Sequence, residues 1–141
     1  MTVYLLDTTT LTHLQQAHPR VVGRCDTARH AGASVGTTAI NVEEVLAGWI
    51  NRIRQARTPA DEARYSGRLA DATRFLGTFS IHPVTVPALA RFDRLVKSKL
   101  NVGRADLKIA AVALEVGATV VTDNLRDFGR VPGLAVEDWL A

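Results

Sequence analysis

Short apolar segments alternate with longer amphipathic segments, and this alternation limits the possible folds more than any other feature of the chain. The segments "TVYLL" at residues 2–6 and "ATVVT" at residues 118–122 are apolar, bounded and too short for helices, so they predict buried strands. A weak strand is predicted at "SVGTT", a short strand at "FSIHPV", and a last strand or turn at "LAVEDWL". Helices are predicted over residues 10–17, 21–30, 41–57, 59–76, 85–100 and 104–116. The pattern predicts one α/β domain over residues 1–141, with a mostly parallel central sheet.

The charged residues are unevenly distributed along the chain. The net charge is only +3, but residues 51–75 contain six arginines against three acids. Residues 91–108 contain six basic groups against two acids, so most of the acids lie elsewhere. A basic middle beside an acidic remainder fits a polyanion-binding surface next to an acidic pocket. The alternative is that these arginines lie on the solvated faces of helices.

Composition also limits the class of protein. No segment approaches the roughly 20 apolar residues that span a bilayer, and the first apolar run is too short for a signal peptide. The single cysteine, Cys25, excludes an internal disulfide and fits a reducing compartment. We therefore expect a cytoplasmic protein that does not insert into a membrane.

Four acidic residues stand at positions where side chains of different elements can meet. Asp7 and Asp123 each follow an apolar strand directly, and the carboxyl ends of parallel strands form one edge of a sheet. Glu44 and Asp106 lie near the starts of predicted helices. Each acid has a purely structural explanation. Residues 41–44 resemble a capping box, and the other acids fit a helix cap or the helix dipole.

Taken together, these acids predict a metal site. Two carboxylates about 4 Å apart repel by about 4 kcal/mol at an effective dielectric constant of 20, so a cluster requires protons or a cation. Oxygen ligands without cysteine favour Mg²⁺ or Mn²⁺, and the four histidines lack the spacing of zinc ligands. A cation of this kind suits phosphodiester hydrolysis, because it activates water and stabilises the leaving oxygen.

Three segments, in order, resemble the PIN-domain ribonucleases of the VapC toxin type: "VYLLDTTTLTHL", "TTAINVEEVLAG" and "GRADLKIAAVALEVGATVVTDNLRDFGRVPGLAVEDWL". The resemblance implies a PIN-like three-layer α/β/α sandwich. It also implies a Mg²⁺- or Mn²⁺-dependent endoribonuclease that hydrolyses RNA, typically tRNA or rRNA, with a metal-activated water. The protein would then be the toxin of a type II toxin–antitoxin pair, with a small antitoxin as partner and a homodimer as its usual state.

The resemblance assigns the site residue by residue. The catalytic and metal-binding acids that it implies are Asp7, Glu44, Asp106 and Asp123. Glu44 is chosen over its neighbour Glu43 because of its spacing from Thr38.

The fourth ligand position of the family, usually Asp or Asn, stays open in this sequence. It falls on Asn124, which we count among the metal ligands, with Asp123 beside it and Asp127 as a further candidate. The hydroxyls of Thr8 and Thr122 are expected to support the acids.

The basic middle and the tryptophans complete the predictions. RNA binding is predicted for some of the arginines Arg52, Arg54, Arg57, Arg64 and Arg68, with salt-sensitive affinity. An equal alternative is that residues 45–76 pack against the antitoxin. Both tryptophans, Trp49 and Trp139, occur in apolar patterns and are predicted to lie in the core.

Two other functions remain open. A PIN-like domain can act as a catalytically silent RNA-binding or interaction module. The segment "LLDTTTLT" also resembles the start of haloacid-dehalogenase-like phosphotransferases, which form an aspartyl-phosphate, but Thr9 stands where that family usually has a second acid.

Overall fold

The computed structural model describes residues 1–141 and contains a single five-stranded sheet. The strands are β1 (Val3–Leu6), β2 (Ser34–Thr38), β3 (Ser80–His82), β4 (Thr119–Val121) and β5 (Ala135–Glu137). They lie in the order β3-β2-β1-β4-β5, and every neighbouring pair is parallel. The predicted parallel sheet is therefore confirmed.

Six long helices and one short helix surround this sheet. They are α1 (Thr8–Gln15), α2 (Pro19–His30), α3 (Ala39–Gln55), α4 (Pro59–Leu76), α5 (Val86–Lys97), α6 (Arg104–Val116) and α7 (Leu125–Phe128). The six long helices were predicted, whereas α7 has only four residues and shows no recognisable period. None of the helices combines the length and the apolar character that crossing a membrane would require.

The start of α3 differs from its prediction. The Thr38 side chain caps this helix by accepting a hydrogen bond from the Asn41 backbone N–H, with an N–O distance of 3.2 Å. The capping box predicted over residues 41–44 is therefore wrong, because β2 delivers a cap three residues earlier. Glu44 lies a turn further into the helix, and its carboxylate has no capping role.

Side chains alternate between two cores along the central strands. Leu5 and Val120 face a core built mainly with α5 and α6. Leu6 and Val121 face the opposite core, which contains residues of α1, α2 and α4 and the buried Cys25. This period of two places helices on both faces of the sheet. The expected three-layer α/β/α sandwich is confirmed.

The chain leaves the two central strands in opposite directions. After β1 it enters α1, whose Leu11 belongs to one core, and after β4 it enters α7, whose Phe128 belongs to the other. Since β1 and β4 are neighbours, their connections diverge and leave a crevice at the carboxyl ends of the strands.

Two glycines occupy positions that a side chain would disturb. A Cβ on Gly36 of β2 would lie 2.5 Å from the Ser80 carbonyl oxygen on β3. Gly117 ends α6 with a φ of 70°, in the left-handed region that favours glycine.

Candidate metal and active site

The crevice between β1 and β4 gathers the predicted acids. A cleft of about 300 Å³ is lined by Asp7, Glu44, Asp106 and Asp123, together with Asn124. Asp7 follows β1 and caps α1, accepting a hydrogen bond from the Thr10 backbone N–H over 3.0 Å. Four separate parts of the chain thus bring acids that are distant in sequence to one side of the sheet. For Asp7 and Asp123 this was predicted from their strand-end positions.

The acids influence each other electrostatically. The pKa of Asp106 is raised, mainly by burial and then by the nearby charges of Glu44, Asp127 and Asp7. The pKa of Asp7 is also raised by burial, and the charge of Asp123 adds to this shift. Hydrogen bonds from Thr122 and Thr10 act in the opposite direction on Asp7. The charged forms of these carboxylates are therefore disfavoured by burial and by mutual repulsion, and a bound cation would stabilise them.

The acids line one cleft without meeting at one point. No three carboxylate, histidine or cysteine side chains lie close enough together, as they stand, to hold a metal ion between them. This spacing differs from a closed metal cage, but Mg²⁺ commonly keeps several waters and binds through one or two carboxylates. The donor set is oxygen only and negatively charged, so it fits a hydrated hard cation.

A chain of hydrogen bonds leads from the buried interior to Glu44. The Thr38 hydroxyl donates to Asn41 Oδ1 over 2.7 Å, and Asn41 Nδ2 donates to Thr8 Oγ1 over 3.2 Å. The Thr8 hydroxyl in turn donates to Glu44 Oε2 over 2.9 Å. This chain holds the Glu44 carboxylate toward the cleft. The role of Asn41 in this chain is not visible in the sequence, where residues 41–44 resemble a local capping box.

The residues after β4 divide between the cleft and a local cap. Asn124 Oδ1 accepts from the Asp127 backbone N–H over 3.4 Å, and Asn124 Nδ2 donates to Asp127 Oδ2 over 3.1 Å. Asn124 therefore caps α7, and Asp127 also forms an ion pair with Arg130 over 3.5 Å. Asp127 does not line the cleft, whereas the exposed Asp123 does. Thr122 is buried; its hydroxyl accepts from the Asn124 backbone N–H over 3.0 Å, and its proximity to Asp7 lowers the pKa of that carboxyl.

The predicted RNA-binding arginines lie outside the acid cleft. All five are exposed on the hairpin formed by α3 and α4, and Arg64 pairs with Asp61 over 3.4 Å. Trp139 is 2% exposed, so its predicted core position is confirmed. The core position predicted for Trp49 is wrong, because the second half of α3 packs mainly on α4 and leaves this ring partly exposed.

Comparison with known proteins identifies the family. A model of the PIN domain matches residues 4–134. Over 45 residues the chain is 47% identical to the tRNA(fMet)-specific endonuclease VapC of Salmonella typhimurium, and over 45 residues it is 42% identical to the Ribonuclease VapC2 of Rickettsia felis. Each match covers 32% of this chain and 34% of the relative, so the chain spans about a third of the length of these curated relatives.

Solved structures match over nearly the whole chain. VapBC-1 from nontypeable Haemophilus influenzae has a TM-score of 0.80 at 17% identity, covering 99% of this chain and 100% of that one. DNA-bound VapBC from Salmonella typhimurium has a TM-score of 0.77 at 25% identity, covering 99% of both chains. VapBC2 from Rickettsia felis, bound to a promoter DNA fragment, has a TM-score of 0.76 at 21% identity, covering 98% and 99%. These likenesses establish the fold, and the family match over most of the sequence establishes that the chain belongs to the PIN domain family.

Proposed function

We propose that this protein is a Mg²⁺- or Mn²⁺-dependent endoribonuclease. The observation that carries the proposal is the cleft at the carboxyl ends of β1 and β4, where the pKa of Asp106 is raised by burial and by the charges of neighbouring carboxylates. The relatives with local sequence identity are named an endonuclease and a ribonuclease, which supports the same activity.

The cation would be held by Asp7, Glu44 and Asp106, with Asp123 and Asn124 as candidates for the remaining position. When bound, it would activate a water and stabilise charge on the phosphate and the leaving oxygen. Water, and not the ribose 2′-hydroxyl, would attack the phosphorus, so the products would carry a 5′-phosphate and a 3′-hydroxyl.

The protein's own residues have separate tasks in this proposal. The α1 cap fixes the direction of the Asp7 carboxylate, and the Thr8 hydroxyl fixes that of Glu44. Asp106 lies in the first turn of α6, where the helix dipole favours its charge. Glu44 and Asp123 are the two exposed acids of the cleft. Glu44 accepts the hydrogen bond from Thr8, whereas the Asp123 carboxylate is free to accept a proton from the attacking water.

The neighbouring structures support an antitoxin as partner. Several of these are VapBC complexes, and one is described as a toxin–antitoxin complex from Klebsiella pneumoniae. We propose that this chain is the toxin of such a pair, binds a small antitoxin, forms a homodimer and cuts tRNA or rRNA in the cytoplasm.

Cleavage of total RNA tests the proposal. The parent protein should cut RNA with Mg²⁺ or Mn²⁺ and not with excess chelator. Asp7→Asn and Asp106→Asn should each lower the rate by about a hundredfold or more. Asp93→Asn, which removes an exposed acid of α5 outside the cleft, should keep the parent rate. Parent-level cleavage by either cleft variant would rule out this site.

A second candidate function is a catalytically silent RNA-binding module. It is favoured by the separation of the acids, since no three of them converge in the structure. A silent module would bind RNA equally well after Asp7→Asn, and the parent would show no metal-dependent cleavage.

A further inference from the structure

An aromatic and arginine cluster lies on the α3–α4 hairpin. The Trp49 and Tyr65 rings have centroids 6.3 Å apart and planes inclined by 33°. The guanidinium carbon of Arg52 lies 4.9 Å from the centroid of Trp49 and 6.0 Å from that of Tyr65. The guanidinium carbon of Arg64 lies 5.1 Å from the centroid of the Tyr65 ring. Arg52 forms no ion pair with a carboxylate, so its charge is free for a ligand.

This cluster is continuous with the acid cleft. A groove of about 300 Å³, which includes Thr8, Gly48, Trp49 and Arg52, shares Thr8 with the cleft. A second groove of about 270 Å³ begins at the same Arg52 and includes Tyr65. We call these two depressions together the α3–α4 groove. It gives a ligand in the acid cleft a path along the surface to the arginines.

The sequence of α3 supports this path. Asn41, Glu44, Gly48, Arg52 and Gln55 are separated by three or four residues, so they lie along one face of the helix. Glu44 and Arg52 are eight positions apart, which corresponds to about 12 Å along the axis. One helix face therefore carries a cleft acid at one end and the stacked arginine at the other.

Gly48 keeps the middle of this face open. It lies in the interior of α3, where glycine is disfavoured, and nothing lies within 4 Å of a Cβ built on it. No packing contact in the structure therefore explains the glycine. Because glycine has no side chain, the bottom of the groove between Thr8 and Trp49 is formed by the Gly48 backbone alone.

The chemistry of the groove selects single-stranded nucleic acid. Unstacked bases stack on aromatic rings and on arginine planes, and basic side chains neutralise the phosphates. In a duplex the faces of the bases are covered by their neighbours, so stacking of this kind requires a single strand. Arg52 and Arg57 line the groove and Arg64 lies over the Tyr65 ring, so these three side chains supply its positive charge.

We propose that the α3–α4 groove binds a single-stranded segment of the RNA next to the phosphodiester bond that the acid cleft cleaves. This inference rests on the proposed ribonuclease function and adds the residues outside the acid cleft that hold the strand. Trp49 and Tyr65, with Arg52 between them, form the stacking surface, and Gly48 gives the strand its passage.

Tryptophan fluorescence measures this binding directly. Trp139 is 2% exposed, so quenching by an added oligonucleotide reports on Trp49. The probe is a mixed-sequence single-stranded RNA, added to metal-free protein in chelator. We expect saturable quenching that weakens as salt concentration rises, and weaker binding by the same sequence annealed to its complement.

Two pairs of variants test the groove against matched controls. Gly48→Leu fills its floor, whereas Gly67→Leu makes the same change at an exposed position in α4 that also has nothing within 4 Å of its Cβ. Arg52→Gln removes the stacked charge, whereas Arg29→Gln removes an arginine that lies 5.6 Å from the Phe79 centroid, at the far end of the sheet. We expect the two groove variants to weaken binding by about tenfold and to raise the KM of cleavage, with the two controls unchanged.

The results separate this inference from the nuclease proposal. If the parent cleaves RNA but the groove variants match their controls in binding and KM, the groove inference is overturned and the nuclease stands. If the parent binds the oligonucleotide through the groove but cuts no RNA with any metal, the nuclease fails, and of the groove inference only the binding of a single strand stands. Equal binding of single strand and duplex, or no quenching by any RNA, also overturns the groove inference.

Discussion

The replacement Asn41→Ala tests whether the hydrogen-bond chain behind Glu44 has the energetic weight that its burial implies. Asn41 is 1% exposed and Thr38 is 0% exposed, so neither side chain can exchange a lost partner for solvent. The change removes the bonds from Thr38 to Asn41 and from Asn41 to Thr8. At about 1 kcal/mol each, their loss costs about 2 kcal/mol. Alanine is the better helix former by about 0.5 kcal/mol, which leaves a net loss near 1.5 kcal/mol.

Urea unfolding in chelator measures this loss. With a slope of about 2 kcal/mol/M, the unfolding midpoint should fall by about 0.7 M. Asn51→Ala makes the same change at an exposed position of the same helix, and it should leave stability unchanged or raise it slightly. A loss below about 0.5 kcal/mol for Asn41→Ala, or an equal loss in Asn51→Ala, would show that the chain contributes little.

A second variant tests the orientation of the acid. Thr8→Val breaks the contact with Glu44 directly, and Thr8 is partly exposed at the cleft. It also removes the acceptor of the buried Asn41 amide, so it should cost about 1 kcal/mol in stability, against about 1.5 kcal/mol for Asn41→Ala. Both changes should slow metal-dependent cleavage by a similar factor. Unchanged cleavage in both would show that Glu44 needs no fixed orientation.

Further predictions concern charge, metal and glycine. Because the folded pKa of Asp106 is raised, its charged form costs stability above that pKa, so Asp106→Asn should raise the Tm in chelator at pH 7. The gain should shrink as pH falls through the folded pKa and vanish at lower pH, as thermal melts can show. Mg²⁺ at about 100 times its Kd should stabilise the parent by about 2.7 kcal/mol in urea titrations, and Asp106→Asn much less. Gly48→Ala and Gly67→Ala should each add up to about 1 kcal/mol of stability in the same assay. Gly36→Ala should cost about 1–3 kcal/mol, because its Cβ would meet a carbonyl oxygen of β3.

Periodicity and strand-end rules account for much of the fold and of the cleft. Asp7 and Asp123 could be placed together from sequence, because parallel strands that end on acids present them at one edge. The position of Asp106 followed similarly from the glycine break before α6 and the helix pattern after it.

The remaining features depend on contacts between distant residues. The sequence pattern predicts Asn41 as the cap of α3, and only the end of β2 in three dimensions shows that Thr38 takes this place. Trp49 has the same apolar spacing as a core residue. Helical periodicity does not show, however, how far along α3 the neighbouring elements cover the helix. Asn124 satisfies a ligand pattern, and its role as the cap of a four-residue helix appears only in three dimensions.

The diverging connections after β1 and β4 have a consequence for how such proteins change. The crevice between these strands is formed by the path of the main chain and does not depend on which side chains line it. Replacing the carboxylates would therefore remove the chemistry and leave a recess of similar shape. A related protein with apolar or basic residues at those positions would keep a binding pocket of the same shape. Such a protein could lose the old activity and bind a new ligand without any change of fold.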